Sequence, residues 1–328
     1  MKLHEQKDLF REAVTITAQQ MNLPEIYIEK DYWVTLALYK IFNSEIAPQV
    51  IFKGGTALSK CYTYVKRFSE DIDLVVLNNK DESGNQLKAK LKKITNAVSE
   101  IMPEVDMPGI TNKMGMIRKT AHSYAKKFDG DYGQIRDIII VEATWLGYYE
   151  PYTTRAIHSF IYEMMMQTGQ QKIAEDFVML PFDVLVLEPK RTMCEKIMSL
   201  VRFSHTENPI EDLKKKIRHT YDLYQLLHEK EISYFFDSKA FDEMLLKVAN
   251  DDVASFKNNN AWLQYHPNEA LIFAKPDEVW NEIKGTYNGP FRKLVFGDFP
   301  SDEKVLETLL RITERLKKID WKIEFHSN

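Results

Sequence analysis

The sequence predicts an α+β protein: a mixed β-sheet flanked by helices, followed by a mostly helical C-terminal domain. Three observations carry this. In the first half, short apolar runs at 50–52, 72–77 and 136–145 alternate with stretches of helical periodicity. From Pro189 onward the periodicity is helical only. Gly and Pro number 12 each in 328 residues, too few for a turn-rich all-β fold. A chain of this length exceeds what one hydrophobic core usually serves, so two domains are expected. Their boundary falls near Pro181 and Pro189, giving 1–185 with the N-terminal helices and sheet, and 186–328 as the helical part.

Taken in order, residues 4–22 place Phe10, Ala13, Val14, Ala18 and Met21 at helical spacing. Pro24 interrupts, and a second helix is expected over 25–43. After Pro48, residues 50–52 read as a short buried strand, 53–56 as a turn and 57–64 as a short helix. Residues 72–77 form a strand. Over 86–101, Leu87, Leu91, Ile94 and Val98 share a helical face. Two β segments follow: 114–128, irregular and mixed with aromatic and basic residues, and 136–145, dense in β-branched residues. Residues 152–167 fit neither pattern cleanly, and 182–187 is a last short strand. Helices are then expected over 190–203, 210–228, 238–249, 276–285 and 302–319.

Hydrophobic residues make up 44% and charged residues 28%, as in an ordinary soluble globular protein. The net charge of -4 excludes a generally basic nucleic-acid binder, so any such contact has to come from local patches. Cys61 and Cys194 are the only cysteines, which argues against a disulfide framework and for a reducing cytoplasm. The polar, charged first eleven residues do not resemble a signal peptide, and no apolar run is long enough to span a membrane.

The chemistry concentrates in Lys53-Gly54-Gly55-Thr56-Ala57-Leu58-Ser59-Lys60 and Arg67-Phe68-Ser69-Glu70-Asp71-Ile72-Asp73-Leu74. A strand running into two glycines lets the backbone approach a ligand with no Cβ in the way. The free N–H groups of the helix that follows can hold phosphate oxygens. Thr56 either caps that helix or touches a phosphate. Ser59 and Ser69 carry hydroxyls near the expected phosphates, and Ser69 either bonds them or caps its turn. Lys53 either reaches a phosphate or ends its strand in solvent. Asp71 and Asp73, two apart at a strand start, place both carboxylates on one face. Two such charges call for a cation, and Mg²⁺ (or Mn²⁺) favours carboxylates together with substrate phosphates and water. Metal held there can clamp a nucleoside triphosphate and favour in-line attack by a hydroxyl. Either Gly-Gly or Asp-x-Asp alone is ordinary; the order strand, Gly-Gly, helix, Ser-x-Asp-x-Asp, apolar strand is specific.

The run from Phe52 to Leu77 resembles the AbiEii/AbiGii toxin family of the DNA polymerase β-like nucleotidyltransferase superfamily, through its KGGTxLSK…RFSEDIDL pattern. The resemblance continues at Glu188-Pro189-Lys190-Arg191-Thr192-Met193-Cys194-Glu195-Lys196-Ile197, at Arg202, and at Arg218-His219-Thr220-Tyr221-Asp222-Leu223-Tyr224, and covers roughly 50–228. His219 stands where the family often has Asp. The resemblance implies a nucleotidyltransferase-type sheet and transfer of a nucleotide from an NTP. It also implies the toxin of a type IV toxin–antitoxin or abortive-infection phage defence system, with a separate antitoxin. Some members modify tRNA ends, so RNA (tRNA) is the implied acceptor. By the same resemblance Lys196 and Asp222 join Asp71 and Asp73 as catalytic residues. From the residues alone, Lys196 is either a phosphate-neutralising cation or a surface lysine on an amphipathic helix. Asp222 either pairs with Arg218 or orients Lys196. The superfamily commonly has a third carboxylate on a neighbouring strand. Glu142, inside 138–145, is its candidate as a metal ligand, unless that strand simply turns Glu142 to solvent.

Three basic clusters stand out: Lys88, Lys90, Lys92 and Lys93; Lys113, Arg118, Lys119, His122, Lys126 and Lys127, interleaved with Tyr124 and Phe128; and Lys214, Lys215, Lys216 and Arg218. The second is the strongest RNA-facing candidate, although lysine-rich faces are usually only solvated. Two other functions fit the same motif: transfer to a protein hydroxyl or a small molecule, and a binding protein that keeps the motif without catalysis.

Overall fold

The computed structural model describes residues 1–323 except 80, 131, 133, 134, 148, 257 and 258. The chain divides into two compact units: Met1–Thr63, Phe68–Trp145 and Tyr152–Val186 in the first, and Tyr64–Arg67, Leu146–Pro151 and Leu187–Asn328 in the second. Two short segments from the first half of the sequence thus belong to the second unit.

In the first unit the order is α1 (Lys7–Met21), α2 (Glu25–Phe42), β1 (Val50–Lys53), α3 (Gly54–Tyr62), β2 (Ile72–Val76) and α4 (Gly84–Ser99). Then come β3 (Glu104–Val105), β4 (Ile117–His122), β5 (Ile139–Thr144), β6 (Tyr152–Ile157), α5 (Phe160–Gln167), α6 (Gln171–Asp176) and β7 (Phe182–Leu187). Among the described residues the strands form one mixed sheet in the order β3-β4-β5-β2-β1-β7-β6. β1 pairs antiparallel with β2, β2 parallel with β5, and β5 antiparallel with β4.

α2 is buried almost all round, so its charged residues need internal partners. Asp31 accepts from Lys60 Nζ at 2.6 Å and from the Phe160 amide at 2.8 Å, tying α2 to α3 and α5. Glu29 accepts from the amides of Lys127 and Phe128 at 2.7 and 3.2 Å. Those bonds draw 124–128 into a loop against α2, which is why the expected strand over 114–128 shortens to β4. The ambiguous 152–167 resolves as β6 followed by α5, with Ser159 accepting from the Tyr162 amide at 3.2 Å as an N-cap. α4 starts with a capping box between Ser83 and Gln86.

The second unit contains α7 (Pro189–Phe203), α8 (Pro209–Lys215), α9 (Ile217–His228), α10 (Lys230–Phe236), α11 (Lys239–Ser255), α12 (Leu271–Ala274), α13 (Pro276–Thr286) and α14 (Asp302–Leu316). α14 buries Val305, Leu309, Ile312 and Leu316, one stripe at helical spacing. The single helix expected over 210–228 is two helices, broken at Lys216, where no Gly or Pro announces the break. Among the described residues no helix is long and apolar enough to cross a membrane.

Candidate functional site

β1 runs directly into α3 with no intervening turn. Gly54 makes this possible: its φ of +81° is a left-handed conformation that side-chain-bearing residues avoid. A Cβ at Gly54 would also collide with the Asp73 carboxylate. The glycine therefore serves a close approach of backbone to acid. α3 has no side-chain cap at its N-terminus, which leaves the first amides, those of Gly54 and Gly55, to other acceptors. Ser59 lies four residues beyond Gly55, on the same helical face. The Thr56 hydroxyl, 1% exposed, donates to the Asp71 carbonyl at 2.6 Å, and lies 2.9 Å from Ser69 Oγ, which is then the donor of that pair. Thr56 and Ser69 thus fasten the start of α3 to the loop that carries Asp71.

Across the sheet, register places Lys53 opposite Asp73, Asp73 beside Glu142, and Glu142 opposite Lys119. Residues in one register row share a face, so four strands present the charge sequence plus, minus, minus, plus. Lys119 Nζ lies 2.7 Å from Glu142 Oε2. Burial, then the charges of Glu142 and Asp71, push the Asp73 carboxyl up to about 7, against the pull of Lys53 and Lys119. Asp71 immediately precedes β2. Its Oδ1 is buried and accepts no hydrogen bond among the described residues; the Arg136 guanidinium is 3.6 Å away.

Behind this row lies a charged network that the sequence reading did not single out. Lys30 of α2 is fully buried, bonds the Arg136 carbonyl, and lies 3.5 Å from Glu70 Oε2. Burial lowers the Lys30 ammonium to about 8, against the charges of Glu70 and Asp71. Glu70 accepts from the Arg136 amide at 3.3 Å, and the Arg136 guanidinium stands 3.8 Å from Glu70 and 3.6 Å from Asp71. The available signal was Glu-Lys-Asp at 29–31 inside an otherwise apolar helix.

The second basic cluster is not a free cationic surface. Lys113 pairs with Glu104, Arg118 bonds Thr95 Oγ1 at 2.8 Å, Lys119 pairs with Glu142, and Lys126 pairs with Asp137. His122 is buried, with Nδ1 at 3.0 Å from the Met102 carbonyl. Most cations of this strand pair thus have partners within the first unit, which any phosphate contact there would have to exchange for RNA.

In the second unit, Arg67 clamps Asp222 with two bonds, Nε to Oδ1 at 2.6 Å and Nη2 to Oδ2 at 2.7 Å, and Lys196 Nζ reaches Oδ2 at 2.7 Å. All three side chains are buried. Burial opposes the Asp222 charge, yet Arg67 and Lys196 hold its carboxyl well below the usual carboxylate range. Lys196 is thus not a surface lysine, and the partners of Asp222 include Arg67, 155 residues away. His219 is held neutral by burial and by the charges of Lys196 and Lys216. An Asp there, as the family often has, would face those same cations.

In backbone shape the chain is similar to MenT4, a nucleotidyltransferase toxin from Mycobacterium tuberculosis H37Rv, at a TM-score of 0.46 and 14% identity, over 93% of this chain and 98% of that one. Among curated proteins, none matches the chain in sequence. Residues 36–311 match the family described as nucleotidyl transferase AbiEii toxin of type IV toxin–antitoxin systems, a span that takes in the glycine junction, the acid row and the Arg67–Lys196–Asp222 cluster. The chain belongs to the AbiEii nucleotidyltransferase toxin family.

Proposed function

We propose that this toxin transfers a nucleotide from an NTP to the end of an RNA, with tRNA as acceptor, using Mg²⁺ or Mn²⁺ bound through Asp71 and Asp73. Membership of the family brings an NTP substrate and an antitoxin partner with it. A cytoplasmic setting, where NTPs are abundant and Cys61 and Cys194 stay as thiols, is part of the proposal.

One observation carries the reading: the register sets Asp73 beside Glu142 with its Oδ2 against the first residue of α3, where burial and then the charges of Glu142 and Asp71 push its carboxyl up to about 7. The residues fit a divalent cation. Asp71 Oδ1 is buried without a hydrogen bond among the described residues, and Asp73 holds an unfavourable charge that a cation would relieve. No group of three or more His, Cys, Asp or Glu among the described residues forms a ready-made metal cage. Mg²⁺ does not need one, since it takes one or two carboxylates and fills its remaining positions with phosphate oxygens and water. When bound, the metal supplies charge neutralisation for the triphosphate and acidity for the attacking hydroxyl. Glu142 is the proposed third carboxylate, with Lys119 already 2.7 Å from its Oε2.

The chain's own groups do the rest. The amides of Gly54 and Gly55 and the hydroxyl of Ser59 receive phosphate oxygens, Lys53 adds positive charge beside Asp73, and Thr56 with Ser69 keeps the Asp71 loop in place. The acceptor hydroxyl oxygen bonds to the α-phosphorus, its proton passes to solvent, and the bond to the bridging oxygen of the β-phosphate breaks, releasing diphosphate. Lys196 and Asp222 are proposed as required for activity, Asp222 by orienting Lys196.

The test is incubation of the protein with labelled NTPs, Mg²⁺ or Mn²⁺ and total RNA. Label on tRNA-sized RNA with the wild type, and none with Asp73→Asn, is expected. Label on protein or on a small molecule instead would reassign the acceptor, and no transfer at all would overturn the reading.

A further inference from the structure

A cavity of about 560 Å³ in the first unit lies against the segment that leads into β5, walled by Met107, Ile110, Tyr132, Ile135, Arg136 and Ile138. Its size is that of a small-molecule or nucleoside pocket. Arg136 joins it to the acid row, because the same guanidinium stands 3.6 Å from Asp71 Oδ1. We propose that this cavity receives the terminal nucleoside of the RNA acceptor, with its base stacked on Tyr132. The inference rests on the nucleotidyl-transfer reading given above.

The placement follows from in-line displacement. The attacking and leaving oxygens lie on opposite sides of the α-phosphorus. The leaving diphosphate belongs at the start of α3, which continues β1. β1 and β5 flank β2 on opposite sides. With the acids of β2 between them, the attacking hydroxyl approaches over β5, and the cavity lies at the beginning of that strand. Register sets the scale. Ile72 pairs with Val141, so Asp71 lies level with Ile140, and Ile138 is two residues further, roughly 7 Å along the strand. That offset separates a terminal hydroxyl at the acids from a base in the cavity.

The chemistry of the walls favours a base over a phosphate chain. Ile135, Ile138, Met107 and Ile110 are apolar, and Tyr132 offers a ring. Lys126 stands 5.8 Å from that ring but is neutralised by Asp137. Unstacked RNA bases are held in this way, stacked on aromatic faces and hydrogen-bonded at their edges, for which the lining also offers Asp129. A triphosphate would need unpaired cations, and the wall cations Lys126 and Arg136 already face carboxylates.

The experiment is steady-state transfer of a labelled NTP to a tRNA transcript with an unpaired 3′ end, by wild type, Tyr132→Ala and Tyr132→Phe. Tyr132→Ala is expected to raise the KM for tRNA about tenfold, within the range of one lost base stack, and to leave the KM for the NTP within about twofold. Tyr132→Phe, which keeps the ring, restores the tRNA KM. A rise in the NTP KM equal to or larger than that for tRNA, or no change in either, overturns the proposal. Wild type that fails to label tRNA at all overturns the underlying functional reading, whereas active wild type with an unaffected Tyr132→Ala overturns this pocket alone.

Discussion

Asp73 in the first unit and Asp222 in the second are both enclosed acids, and their surroundings drive them in opposite directions. Asp73 is pushed up to about 7 by burial and then by the charges of Glu142 and Asp71. Asp222 has Arg67 and Lys196 within 2.7 Å and is held well below the usual carboxylate range. In the second arrangement the acid is fully supplied: two cations face one carboxylate, and both its oxygens accept hydrogen bonds. In the first it is not: Lys119 pairs with Glu142 and Arg136 stands 3.6 Å from Asp71, yet the Asp73 carboxyl stays raised, so a further cation would relieve it. On the proposed reading the first acid serves to bind a cation, while the second braces its unit and orients Lys196.

The contrast can be broken most forcefully at the acids themselves. Asp71→Asn and Asp73→Asn should each lower turnover by roughly a thousandfold or more. Asp73→Asn should nevertheless raise the melting temperature of the metal-free protein at pH 8. The sign follows from the raised carboxyl: its folded value lies above its unfolded one, so the ionised form costs stability as pH rises through about 7, and Asn removes that cost. A lower melting temperature at pH 8 would mean that the Asp73 charge is already matched.

Asp222→Ala should behave in the opposite way, losing about 3–5 kcal/mol in urea unfolding, since it leaves Arg67 and Lys196 buried without their counter-ion. The depressed Asp222 carboxyl contributes stability that is fully present above the unfolded value of about 4 and is lost on acidification below it. A variant as stable as wild type at neutral pH would remove the bracing role. Gly54→Ala comes next. It should cost about 1–2 kcal/mol for the left-handed backbone, and its Cβ should displace Asp73 and reduce transfer; unchanged transfer would separate the glycine from the acid. The smallest effect is expected at Lys119→Met. Losing that cation should move the pH midpoint of activity upward and lower turnover at pH 7 by up to about fivefold.

Much of this was legible in local sequence. The glycine junction, the strand that carries Asp73 and the helical second half follow from spacing, because backbone conformation and period act over a few residues. The start of α3 was misplaced by three residues, since only a left-handed Gly54 allows a strand to become a helix without a turn. The long-range partners were not legible. Arg67 with Asp222, Arg136 with Asp71 and Lys119 with Glu142 are joined by the fold across 155, 65 and 23 residues. Cationic runs illustrate the limit: nothing local in the sequence shows that Lys113, Lys119 and Lys126 are paired with Glu104, Glu142 and Asp137.

The most direct measurement is calorimetric titration of Mn²⁺ together with a non-hydrolysable NTP analogue, at several pH values between 6 and 8, on wild type and Asp73→Asn. Wild-type affinity should strengthen as pH rises through about 7, with proton release on binding, and Asp73→Asn should bind weakly and without that pH dependence. Equal affinity and an equal pH profile in the two proteins would contradict a metal-bound nucleotide held at Asp73.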